Sequence, residues 1–299
     1  MDPIPPMRQT PRQPADPDPR EEIDPELLDD EEELGDEEPE GGELEAETAE
    51  VEVEVDEDEV DPEAEDDGEE IEFATAKFPS EKEVRAALDW AFSGESDVEP
   101  TLLDRYAQHA HMMLEAAKRM NLTKIIDARE IAAKHYLDSW RSTRLLPMMG
   151  RSLVDIGSGA GFPGLPVAMS EIHTRVILIE SKQKKAEFLK SCVAALKLKN
   201  VTVVNDRAEE HLARNRYDVG IMRAISSVRE NVRLLRKVRH SIKDLVMLKG
   251  PSWSREVRAG EREAERLGFR LDTVWEHELP GGLGQRAVLV YAAPGGQGL

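Results

Sequence analysis

The chain has 299 residues, room for one large or two ordinary domains, with 62 Asp and Glu against 39 Lys and Arg and a formal net charge of −23. Residues 1–75 hold 34 of those acids and 3 Arg, a net of −31, which leaves +8 on residues 76–299. The single Cys192 excludes an internal disulfide framework and gives no metal cluster. No apolar run approaches the roughly 18 residues of a membrane span. The acidic, proline-rich start does not read as a signal peptide, so a cytoplasmic protein with no membrane partner is expected.

Residues 1–76 form the first segment. Rich in Asp, Glu and Pro, with Phe73 its one aromatic, it cannot bury enough apolar surface to offset the entropy of ordering, which predicts a long disordered acidic tail. Residues 77–150 read as an N-terminal helical cap. Ser80 and Glu83 make a capping box before the pattern Val84, Leu88, Ala91; a second helix spans about Leu102 to Arg119; Asp127 and Glu130 form another box for a helix reaching about Trp140. From residue 151 to 294 strands and helices alternate. Strands fall near 152–156, 175–180, 201–205, 217–222 and 244–248, with helices near 163–170, 182–197, 227–239 and 254–267. A hairpin at 271–279 and 285–292 turns around Pro280-Gly281-Gly282-Leu283-Gly284. The pattern predicts an α/β fold, a doubly wound and mainly parallel seven-stranded sheet with one reversed strand.

The richest stretch lies at 152–166. The apolar run Leu153, Val154, Ile156 breaks into alternating glycines, Gly157, Gly159 and Gly161, and Pro163 suits the first turn of a following helix. Strand, glycine turn and helix make a nucleotide-type cofactor site. Two patterns overlap here. Gly159-x-Gly161-x-x-Gly164 fits a dinucleotide fingerprint, whereas Asp155-x-Gly157-x-Gly159-x-Gly161 fits the loop that binds S-adenosylmethionine (AdoMet). The dinucleotide motif wants its first glycine at the strand end, and from Gly157 that spacing fails because residue 162 is Phe. Asp155 would repel a pyrophosphate but suits a sulfonium cofactor bearing an α-amino group, so AdoMet is favoured. Glu180 ends the next apolar run 23 residues after Gly157, where an acidic residue takes ribose hydroxyls. Capping of the helix that starts near Ser181 is its alternative role, and the strand-end position favours the ribose.

These residues resemble the RsmG (GidB) family, bacterial AdoMet-dependent methyltransferases that modify N7 of a guanine in small-subunit ribosomal RNA. The likeness runs through Asn121-Leu122-Thr123, Lys134-His135-Tyr136-Leu137-Asp138-Ser139, the extended loop Val154–Pro166, Glu180-Ser181, Lys184-Lys185, Phe188-Leu189, Arg207-Ala208-Glu209-Glu210, Arg223-Ala224 and Leu248-Lys249-Gly250. It covers about residues 100–292. Departures are Ala116 and Ala117, where the family has Trp and Asn, and Arg286-Ala287, where it often has Arg-His or Arg-Arg. The resemblance implies a class I AdoMet-dependent methyltransferase fold, 16S rRNA or the 30S subunit as partner, and a monomer. It further implies cofactor roles for Gly157, Phe162, Ala208, Glu209 and Arg223. Arg223 suits the methionine carboxylate or an RNA phosphate, with a structural ion pair as the alternative. His135 and Asp138 share a helix face at i and i+3, a spacing read as structural or RNA-facing.

N7 of neutral guanine keeps a lone pair, so methyl transfer to it needs no general base, and no catalytic acid, base or nucleophile is assigned. Lys182, Lys184 and Lys185 open one helix, and Arg229, Arg233, Arg236, Lys237, Arg239 and Lys243 crowd another. Beside a cofactor pocket, on a body of +8, they favour phosphate contact. The tail is either a solubilising segment or a polyanion that competes with RNA for that surface. The rival functions are methylation of another RNA, a protein or a small molecule; a nicotinamide oxidoreductase; and a non-enzymatic ribosome-binding factor.

Overall fold

A computed structural model describes residues 77–145, 147–223 and 226–292. The acidic segment 1–76 and the end of the last predicted segment, beyond 292, lie outside the described residues.

Helix α1 (Glu81–Ala91) starts on the predicted capping box, with Ser80 N donating to the Glu83 carboxylate at 2.8 Å and Glu83 N to Ser80 Oγ at 3.3 Å. Helix α2 (Pro100–Ala117) carries Pro100 in its first turn, where a missing N–H costs nothing, and buries Leu103, Tyr106, Ala110 and Met113 along one stripe. At Asp127 only half of the predicted box forms. Asp127 accepts from the amides of Arg129 and Glu130, but the Glu130 carboxylate takes Lys134 Nζ at 3.0 Å instead of returning to the cap. The next helix is not uniform: α3 (Ala128–Glu130) widens into a π-helical segment, Ile131–Leu137, before α4 (Asp138–Ser142).

Seven strands follow: β1 (Ser152–Ile156), β2 (Arg175–Ile179), β3 (Val201–Val204), β4 (Tyr217–Arg223), β5 (Ile242–Lys249), β6 (Arg270–Glu278) and β7 (Gln285–Ala292). Their order is β3-β2-β1-β4-β5-β7-β6, with β1 to β5 parallel and β7 antiparallel to both its neighbours, so the one reversed strand is β7. Both faces are covered, which is why the central strands read as mainly apolar runs and not as an apolar–polar alternation. Leu153, Leu178, Ile221 and Val246 face α1 and α2 together with α5 (Gly164–Ser170) and α6 (Gln183–Ala195). Val154, Ile177, Leu245 and Leu289 face α7 (Ala208–Arg214), α8 (Val228–Leu234) and α9 (Trp253–Arg266). The N-terminal helices therefore share one continuous core with the sheet.

Two elements differ from expectation. Helix α7 was not predicted: its seven residues bury one side chain, Leu212, too short a stripe to show a period. The helix predicted over 227–239 stops at Leu234. Beyond it, i→i+3 bonds such as Val238 N to Leu235 O carry buried Leu235 and Val238 toward a 3₁₀ turn at Arg239–Ser241 and into β5. Among the described residues no helix is long and apolar enough to cross a membrane.

Candidate active site

Strand order reverses between β1 and β4, and ligands of open α/β sheets bind beyond the carboxyl ends of the strands at that reversal. The glycine loop sits there. Gly157, Gly159 and Gly161 have φ of +70°, +50° and +99°, conformations glycine adopts without penalty. The loop spends its amides inside the protein. Gly157 N and Ser158 N both donate to Ile179 O at 3.0 Å, Gly161 N and Phe162 N to Ser158 O, and Leu165 N to Gly161 O. Two carboxylates take further amides. Gly164 N donates to Asp155 Oδ2 at 2.9 Å, and Gly159 N to Glu180 Oε2 at 3.0 Å.

Asp155 is fully buried, and its Oδ1 has no hydrogen-bond partner. Burial pushes its carboxyl up to about 7, against the Gly164 amide that favours the charged form. Glu180 is almost as buried. Its Oε1 accepts Lys182 N at 2.8 Å, so it holds the turn that leads into α6, which has no side-chain cap of its own, while its other oxygen braces the glycine loop. A carboxylate has about four lone-pair sites, so two amides do not exhaust it. Asn205 donates to the carbonyls of Glu180 and Ser181, fixing the turn.

Phe162 is the hub beneath the loop. The His135 ring stacks on it at 4.5 Å between centroids and 16° between planes, and the Arg223 guanidinium lies 5.0 Å from its centroid. His135 Nε2 meets Thr123 Oγ1 at 3.1 Å, and that hydroxyl also accepts Ile125 N. Arg223 ends β4 and donates Nη1 to Lys134 O at 2.9 Å. The π-helical segment makes this bond available. Asp138 N reaches the carbonyls of Ala133 and His135, not Lys134 O as a regular α-helix would require. His109 adds a second prop: it is fully buried on α2, its Nε2 is 3.1 Å from Ala160 O and its Nδ1 is 2.8 Å from the Tyr136 hydroxyl. Burial lowers the His109 imidazole to about 4, and burial with the nearby Arg223 charge holds His135 well below its ordinary value.

The carboxyl ends of β1, β2 and β4 thus gather Gly157, Phe162, Glu180 and Arg223. Ala208 and Glu209 stand one strand further out, in the first turn of α7, after β3. His135 and Asp138 take different partners. Asp138 Oδ1 contacts His277 Nε2 of β6 at 3.1 Å, tying the hairpin to α4. Sequence reasoning missed His109 and Tyr136. The available signal was a polar ring on the apolar stripe Leu103, Tyr106, Ala110, Met113, where burial demands a partner.

The residues fit AdoMet better than a dinucleotide. A pyrophosphate needs unpaired loop amides, whereas those of Gly157, Ser158, Gly159, Gly161 and Phe162 are bonded within the protein, beside the carboxyl groups of Asp155 and Glu180. Fold and loop together define a class I methyltransferase. The family model described as rRNA small subunit methyltransferase G (GidB) matches residues 102–280, and the chain belongs to this family. It is 38% identical to the ribosomal RNA small subunit methyltransferase G of Solibacter usitatus over 186 residues, 61% of this chain and 87% of that one. The protein of that name from Carboxydothermus hydrogenoformans is 31% identical over 65% of this chain and 84% of its own. A looser likeness, TM-score 0.41 at 10% identity, links 52% of this chain to 66% of M. capricolum TrmK, solved with S-adenosylhomocysteine.

Proposed function

We propose that this protein transfers the methyl group of AdoMet to N7 of a guanine in 16S rRNA, acting as a monomer. The observation that carries the reading is the glycine loop, its amides bonded within the protein and braced by Glu180 and Asp155, in a chain of this family. When bound, AdoMet supplies a methyl group already activated by its sulfonium. In this reading the spare lone pairs of Glu180 take the ribose hydroxyls. Ala208 N–H and the Glu209 carboxylate meet the adenine, and Gly157 leaves room for the methionine part. Phe162 walls the crevice, while Arg223 places its charge for the methionine carboxylate.

None of these groups needs to move a proton, because N7 offers a lone pair. The neutral, buried His109 and His135 hold the loop and Phe162 in place. Catalysis rests on alignment of donor and acceptor, an effect that supplies about 7–11 kcal/mol. The acceptor guanine must lie in an unpaired region, since A-form RNA hides N7 in a deep groove.

Thermal unfolding tests the cofactor half of the reading. AdoMet and its demethylated product should each raise the melting temperature, and NAD and NADP should not. Equal stabilisation by NAD sinks the assignment.

A further inference from the structure

The face of the sheet opposite the N-terminal helices carries a cleft of about 600 Å³, bounded by the start of α7 and the ends of α8 and α9. Its cations come from all three helices and their flanks: Arg207, Arg233, Arg236, Lys237 and Arg266. The structure sorts the basic run noted in the sequence. Arg229 is engaged with Ala259 O and Lys243 with Asp218, so neither belongs to a free cationic surface. Arg233 and Arg266 share Glu263 at the long distances of 3.8 and 3.9 Å. Arg207, Arg236 and Lys237 are exposed and make no ion pair among the described residues. Cations spread along a groove, and not converging on one point, suit a run of phosphates better than a single small anion.

We infer that this cleft is a contact surface for the sugar–phosphate backbone of RNA, separate from the cofactor crevice. The inference rests on the rRNA reading above. Glu209 lines the cleft and also stands where that reading puts the adenine, so the cleft borders the adenine end of the crevice across the first turn of α7. The contact is electrostatic, reads no bases and serves to hold the substrate. The chain also carries a polyanion of its own, the acidic segment of −31 over residues 1–75.

The test uses the full chain and the double variant Arg236→Gln, Lys237→Gln, which touches no residue assigned to the cofactor. Binding of 16S rRNA is measured across a salt series, and methylation at saturating AdoMet. Each lost phosphate contact should cut the slope of log affinity against log salt by about 0.7–0.9, so the variant should lose about 1.4 to 1.8. Its affinity at low salt should fall about tenfold or more, KM for RNA should rise, and kcat and AdoMet affinity should stay at wild-type values. An unchanged slope and affinity overturn the inference. Tighter RNA binding by the variant also overturns it and assigns the cations to the acidic segment. If wild-type protein methylates no rRNA yet shows the predicted difference in binding, the surface stands and the rRNA-methylation reading falls.

Discussion

His109 Nε2 lies 3.1 Å from the carbonyl oxygen of Ala160, so a buried histidine of α2 grips the middle of the glycine loop. A carbonyl can only accept, which assigns the proton to Nε2 and makes Nδ1 the acceptor for the Tyr136 hydroxyl at 2.8 Å. The N-terminal helices are thereby part of the cofactor loop's support. His109→Leu leaves Ala160 O without its donor in a buried site, a cost of about 1–3 kcal/mol. Calorimetry should show AdoMet affinity reduced about tenfold or more. His109→Gln offers a donor and an acceptor at similar reach and should restore most of the affinity. Equal AdoMet affinity in the Leu variant and wild type contradicts the linkage.

Arg223 binds Lys134 O and the Phe162 ring, so its removal has a structural cost, to which this hydrogen bond and this cation–π contact contribute about 1–3 kcal/mol together. Arg223→Ala should lose most methyl-transfer activity while remaining folded, with a rise in AdoMet Kd that exceeds its loss of stability. A large fall in melting temperature with activity per folded molecule unchanged assigns Arg223 to the scaffold.

Asp155 gives a pH signature. Its carboxyl is raised to about 7 in the folded protein against about 3.9 in an unfolded chain, so the folded state holds more protons between those values. Stability from this group is therefore present below about 4 and lost as pH rises toward 7. Asp155→Asn removes the titration. The melting temperature of the variant, relative to wild type, should climb between pH 5 and 8. A flat difference across that range contradicts the burial-raised titration of Asp155.

Two glycines of one motif should behave differently. A Cβ at Gly164 would collide with Leu178 Cδ2 and sit 2.5 Å from Asp155 Oδ2, both buried, whereas at Gly159 it would meet Gly157 O at 3.9 Å, an ordinary contact. Gly164→Ala should cost about 1–3 kcal/mol through overpacking and weaken AdoMet binding. Gly159→Ala should cost about 1–2 kcal/mol, the penalty of a left-handed backbone alone. Comparable melting temperatures for Gly164→Ala and wild type contradict the packing account.

The sheet was legible because each of its central strands, buried on both faces, leaves a mainly apolar run at the spacing of alternating strands and helices. The loop was legible because its glycines and Asp155 stand together in sequence. What binds the site together was not. Thr123, His135, Phe162 and Arg223 span a hundred positions and meet only after folding, through a π-helical segment that no local propensity announces. Helix α7 lacked a readable period, and the half-formed box at Asp127 turned on a competition for Glu130 that Lys134 wins.

Methyl transfer to guanine N7 of 16S rRNA is tested directly by base mapping. Full-length protein is incubated with AdoMet and either naked 16S rRNA or 30S subunits from cells lacking the modification, and the methylated nucleoside is identified and located. N7-methylguanosine should appear at one unpaired position, and most of it should be lost with Arg223→Ala. A methyl group on another atom or another class of acceptor, or none on either substrate, would contradict it.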